Sequence, residues 1–217
     1  MAITGLLLVA FLLAHMFGNF KVLLPDDGKE FNEYSHWLRS FGYPALPHGV
    51  FLWIMRIVLL AAVVLHMVSA FRLRARAAAN TGGSRYVTKK NMEKSFAART
   101  MIWGGIIIVL FVVVHLLQFT AEVLKFGYPS GTKALAPYDR VVAGFGEWWV
   151  VVFYGIAMAA VCMHLWHGVW SALATLGANT SAAARRVLKV VAYVIAVALF
   201  LGFMIPPVLI LTKVIGQ

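Results

Sequence analysis

The sequence predicts an all-α integral membrane protein, a single domain over residues 1–217 built on five transmembrane helices in an up-down bundle. Three observations carry this. Of the 217 residues, 62% are hydrophobic and only 12% are charged, about half the charge of a soluble domain. Five apolar stretches are each long enough to cross a hydrocarbon core of ~30 Å at ~1.5 Å per residue. The basic residues behind the net charge of +11 gather in the short connections between these stretches. Such an excess of Lys and Arg is a topology signal rather than a nucleic-acid footprint. The lone cysteine, Cys162, lies within an apolar stretch, and one thiol builds no disulfide, zinc site or iron–sulfur cluster within the chain.

The first helix covers about 2–20. With no basic segment before it and no small-residue cleavage site after it, it reads as a transmembrane helix and not as a removable signal. Residues 21–47 turn polar and aromatic and hold the breakers Pro25, Gly28, Gly42, Pro44 and Pro47, which predicts a structured loop with a short interfacial helix around 30–41. The second helix covers about 48–71 and ends in Arg72, Arg74 and Arg76; the third covers about 100–124. A loop broken by Gly and Pro, 125–146, leads to the fourth helix at about 147–176. Gly177, Asn179, Thr180 and Ser181 then make a stop and a capping cluster before the fifth helix at about 187–211.

Charge sets the orientation. The two connections on one side hold eleven basic residues (Arg72, Arg74, Arg76, Arg85, Lys89, Lys90, Lys94, Arg99, Arg185, Arg186 and Lys189) and one acid, Glu93, whereas the other side holds seven of each sign. The positive-inside rule then places the N-terminus in the cytoplasm and the C-terminus outside. Arg56 is the remaining basic residue and falls within helix two.

Four of the five helices carry a buried histidine. His66 lies six residues before Arg72, ~9 Å from the cytoplasmic boundary, and His115 lies sixteen residues after Arg99, ~24 Å from it. His15, late on an outward-going helix, joins His115 in the outer half; His164, late on an inward-going helix, joins His66 in the inner half. The two levels are ~15 Å apart. Around His164, the face Ala157, Ala160, His164, Gly168 and Ser171 is a slot of small residues with an imidazole in its middle. A flat apolar cofactor such as a haem needs a neutral nitrogen donor with little bulk beside it, so the pattern suits two stacked haems. A single membrane histidine can be a hydrogen-bonded helix contact, but four of them, one per helix, call for a functional partner. The sequence also lacks paired intramembrane carboxylates, which disfavours a proton or metal transporter. His36 and His48 lie in or beside the outer loop, and His167 lies beside the slot face.

The segments FLLAHMFGN around His15, VVLHMVSAF around His66, FVVVHLLQF around His115 and MHLWHGVWSALATLG around His164 resemble the di-haem cytochrome b membrane anchors of succinate dehydrogenases and fumarate reductases. The likeness covers nearly the whole chain, including the order of four histidine-bearing helices followed by a bare one. It implies that His15 and His115 ligate an outer haem b and that His66 and His164 ligate an inner one. In that family the helix-four ligand precedes the glycine of a G-[LV]-W-S run by four residues. Gly168, Val169, Trp170 and Ser171 match that run and select His164 over His167. Two departures stand out. The family usually has a cytoplasmic segment rich in Arg, His and Ser before helix one, whereas this chain starts almost directly on the helix. Relatives that couple electron transfer to proton movement carry a glutamate where this chain has Cys162.

The resemblance implies the membrane subunit of a succinate dehydrogenase complex in the cell membrane of a bacterium. Flavoprotein and iron–sulfur subunits would dock on the cytoplasmic loops, in a complex that can associate further, and electrons would pass through two b haems to menaquinone in the lipid bilayer. Candidate propionate or quinone contacts are Arg56, His36, Trp37, His48 and His167. Arg56 is ten residues before His66, hence level with the outer pair. The rival readings are a cytochrome b anchor of a hydrogenase or formate dehydrogenase, disfavoured by the one-ligand-per-helix pattern, and a non-redox transporter with a histidine-lined interior.

Overall fold

A computed structural model describes residues 1–79 and 96–216, without side-chain detail at 77–78 and 96–100. Among the described residues there are seven α-helices and no strand: α1 (Ala2–Asn19), α2 (Lys29–Ser40), α3 (Val50–Ala79), α4 (Phe96–Phe119), α5 (Pro137–Phe145), α6 (Trp148–Thr175) and α7 (Ala182–Leu211). Five stretches are long and apolar enough to cross a membrane: Ala2–Leu23, Val50–Arg76, Met101–Phe119, Trp148–Thr175 and Ala182–Leu211. The chain is thus a multi-pass membrane protein by length and composition of its helices.

Its surface agrees with a lipid solvent. Along α3, Trp53, Ile54, Ile57, Leu60, Val64 and Leu65 are all exposed, an apolar face that water would not tolerate. On α6 the exposed Trp148 and Trp149 stand at the N-terminal end and the exposed Trp166 lies nine residues before its C-terminal Thr175. Trp149 and Trp166 are seventeen residues apart, ~26 Å along the axis, which is the separation of two interfacial aromatic belts.

The core sits between α6 and α7, the most extensively packed pair. Ala192, Ala196 and Leu199 of α7 are at most 1% exposed, and Val150, Tyr154, Ala157, Val161 and Leu165 of α6 join them in one cluster. Lipid tails are as apolar as these side chains, so close van der Waals contact between small residues, rather than water exclusion, holds such a pair together. α4 packs on α6, and α1 packs on α6, α7 and α3. α3 leans on α1 and α2 alone among its substantial neighbours.

Several boundaries differ from the sequence expectation. α3 continues past 71 to Ala79 because Arg, Leu and Ala in RLRARAAA are strong helix formers and no breaker interrupts them. α7 starts at Ala182, ahead of 187, since the Ser181 hydroxyl accepts the Ala184 N–H at 3.0 Å and caps the helix. α4 ends at Phe119 and not at 124: Glu122 takes a left-handed conformation (φ 55°), and the N–H groups of Val123 and Leu124 fold back onto the Leu117 carbonyl. α2 lies where the interfacial helix was expected. α5, by contrast, occupies what reads as a broken loop. Pro137 in its first turn and Asp139 beside it start this helix, and its Tyr138, Arg140, Val141, Gly144 and Phe145 are buried. α5 is tied to α2 by the Tyr138 N–H, which donates to Asn32 Oδ1 at 3.0 Å. The Tyr138 ring lies so close over Gly28 that no side chain fits there, and Gly28 also has φ +80°.

Candidate functional site

The four predicted histidines meet in two pairs. His15 on α1 faces His115 on α4 with ring centres 5.9 Å apart, and His66 on α3 faces His164 on α6 at 6.2 Å. Three helices measure the distance between the pairs. On α1, Gly5 lies against the His66 ring and His15 is ten residues further on; on α4, Gly105 lies against His164 and His115 is ten residues further on. On α6, Tyr154 contacts His115 and precedes His164 by ten residues. Ten residues of α-helix span ~15 Å, so all three helices give one spacing.

Neither pair joins helices that pack side by side. α1 with α4 and α3 with α6 are absent from the substantially packed neighbours, so each pair of imidazoles reaches across a gap. Two imidazoles that ligate one metal from opposite sides at ~2.0 Å per metal–nitrogen bond have ring centres about 6 Å apart. Both observed separations fit. Each level offers two nitrogen donors, a pair that could ligate a metal whose other ligands come from a group such as a porphyrin.

Hydrogen bonds orient one imidazole at each level. The Thr4 hydroxyl donates to the Met1 carbonyl at 2.9 Å, leaving its oxygen to accept from His66 Nδ1 at 3.3 Å. Tyr154 Oη lies 3.2 Å from His115 Nδ1 and donates to Gln118 Oε1 at 2.9 Å. A proton held on Nδ1 leaves Nε2 free as a metal donor. His164 has no such anchor. Its Nδ1 is buried without a hydrogen-bond partner, as is Trp170 Nε1 on the same helix, and the Met101 carbonyl faces His164 from α4 without reaching hydrogen-bonding geometry.

The surroundings of the two pairs differ. Phe11 stacks on His15 at 5.4 Å and Phe203 of α7 tilts against it at 5.7 Å, while Phe111 and Phe119 flank His115. At the other level a side chain added at Gly104 or Gly168 would meet open space, and one at Gly105 would meet only the His164 ring. The slot face therefore divides. Ala157 and Ala160 are buried, Ala157 in the cluster shared with α7, so protein fills that half. Gly168 and the half-buried Ser171 leave the other half open.

No family model, curated protein or solved structure compared with this chain matches it.

The remaining candidates separate from the pairs. His167 lies against Trp170, with ring centres 6.5 Å apart, and His66 takes His164 as its ring partner. Trp37 contacts Tyr34 and Phe41, and His48 stacks on Tyr43 at 4.8 Å. His36 is exposed on α2. Arg56, also exposed, lies over the exposed Trp53 ring at 5.0 Å, the posture of an arginine that reaches along the helix surface toward an interface. Arg85, Lys89, Lys90, Glu93 and Lys94 of the basic connection lie outside the described residues.

Sequence reading passed over Tyr154, Gln118 and Thr4. A polar residue inside an apolar helix was the available signal, since Gln118 interrupts the run from Ile106 to Phe119 and is only 2% exposed.

Proposed function

We propose that this chain is the cytochrome b membrane anchor of a succinate:menaquinone oxidoreductase, holding two b haems, one on His15 and His115 and one on His66 and His164. One observation carries the reading: two imidazole pairs, each spaced for a shared metal, on levels ~15 Å apart. The open space beside Gly168 further supports a group seated at the second level. The likeness of the four histidine segments to the di-haem anchors narrows the choice among quinone-linked dehydrogenases to the succinate class.

Bound haem supplies one-electron redox chemistry. The chain supplies the rest. Thr4 and Tyr154 hold one imidazole of each pair by Nδ1, which leaves Nε2 as the nitrogen available to a metal. Phe11, Phe111, Phe119 and Phe203 keep water from the His15–His115 level, and a low dielectric around a site sets its potential. Succinate oxidation belongs to the flavoprotein subunit, and electrons enter through an iron–sulfur subunit docked on the cytoplasmic side. In this orientation, with the N-terminus inside, the His66–His164 level is inner and the His15–His115 level is outer. Quinone is reduced within the membrane.

A pyridine haemochrome assay on the purified chain tests the reading. Two haems b per polypeptide are expected, both low-spin in the visible spectrum; one or none would refute the paired assignment.

A further inference from the structure

On the reading above, His115 is one of two ligands at the outer level, and the structure surrounds it with a buried polar relay that His15 lacks. Tyr154 has a single hydroxyl proton and directs it to Gln118 Oε1 at 2.9 Å. Its oxygen then faces His115 Nδ1, at 3.2 Å, as an acceptor. The direction of the first bond thus fixes the tautomer at the second: His115 carries its proton on Nδ1, and Nε2 keeps its lone pair.

Packing keeps the relay from rearranging. Tyr154 is 6% exposed and Gln118 2%. Phe111 and Phe145 press edge-on against the Tyr154 ring, both with centres at 5.0 Å. α5 closes over the amide, where a Cβ on Gly144 would lie 2.6 Å from Gln118 Nε2. That Nε2 is buried without a partner, an unfavourable state that natural structures rarely keep without a reason. The amide here presents its oxygen to Tyr154 and gains nothing at its nitrogen. Across the gap, the neighbours of the His15 ring are Phe11, Phe203 and His115.

We infer that Tyr154 and Gln118 are positioning residues for the outer metal centre, acting through His115 Nδ1 to orient its imidazole and strengthen it as a donor. A hydrogen bond from Nδ1–H raises the electron-donating power of a ligating imidazole. Stronger donation stabilises the oxidised iron, so the relay lowers the outer midpoint potential.

Potentiometric titration of the haem absorbance separates this effect from a structural one. In Tyr154→Phe, which keeps the ring and removes the hydroxyl, both haems remain low-spin. The outer potential is expected to rise by about one decade in the oxidised-to-reduced ratio, ~59 mV for one electron, with the inner potential unmoved. If Tyr154→Phe fails to assemble, Gln118→Leu, which frees the hydroxyl to turn away from its acceptor role, is read the same way and is expected to move the same potential. Gln118→Glu restores an acceptor for Tyr154 and should bring the outer potential back to or below the wild-type value. Two bound haems with an unchanged outer potential in Tyr154→Phe or Gln118→Leu, or an equal shift of both haems, overturn the relay while leaving the proposed function intact. Wild-type protein without haem overturns both.

Discussion

His164 and His167 sit three residues apart on α6, and only His164 faces His66. The difference is angular, since a step of three residues turns the helix by about 60° less than a full circle. On the proposed assignment, replacing His66 or His164 with Ala should remove the inner haem alone, and replacing His15 or His115 the outer alone. His167→Ala should retain both, with at most a shifted potential. Haem-resolved redox titration of the five variants checks this, and loss of the inner haem in His167→Ala with retention in His164→Ala would reverse the assignment. The histidine levels were legible in the sequence because helical rise is constant and arginines mark one membrane boundary. Tyr154 and Gln118 were not legible, because they are 36 residues apart on different helices and no periodicity reveals which faces of α4 and α6 meet. The slot around His164 was legible in half. Small residues next to a histidine can face either a gap or a neighbouring helix, and Ala157 turned out to pack in the α6–α7 core.

Among the elements, α5 has the most leverage for its length. Its Arg140, 9% exposed, donates to the carbonyls of Phe119 at 2.8 Å and Leu135 at 3.1 Å and pairs with Glu122 at 2.8 Å. The Phe119 carbonyl ends α4, so one guanidinium satisfies an orphan helix terminus and holds the left-handed turn at Glu122. Arg140→Leu would leave a carbonyl and a carboxylate that is 30% exposed without this partner. We expect it to destabilise the fold by about 1–3 kcal/mol, read as a lowered midpoint in thermal unfolding in detergent. Arg140→Lys should recover only part, because an ammonium cannot reproduce the planar fork. A wild-type midpoint in Arg140→Leu would show the pair to be incidental. The sequence hid α5 because the helix is only nine residues long and its core-facing arginine reads as a surface charge. The long apolar helices announce themselves by length, whereas an element held by one half-buried ion pair and an interhelical Asn–amide bond does not.

At the scale of the whole molecule, the charge asymmetry exceeds what orientation requires. The connections assigned to the cytoplasmic side hold eleven basic residues and one acid, and α3 carries Arg72, Arg74 and Arg76 in exposed positions at the C-terminal end of its apolar span. Two partners compete for such residues. Anionic lipid headgroups attract each near-surface Lys or Arg by ~1 kcal/mol, and an acidic face of the iron–sulfur subunit would engage several together. The lipid interaction is spread over many replaceable headgroups, while a protein interface depends on particular positions and is screened by salt over a Debye length of ~8 Å at physiological ionic strength. The double variant Arg72→Glu, Arg74→Glu distinguishes them. If the subunits dock here, the variant should retain two haems per chain and wild-type spectra, yet lose the soluble subunits on washing at moderate salt, where the wild-type complex stays together. The salt concentration needed for release should fall progressively from wild type to single to double variant, since each reversal removes an attraction and adds a repulsion. Full retention of the soluble subunits in the double variant would assign the exposed α3 arginines to the lipid surface and move the docking face elsewhere on the cytoplasmic side.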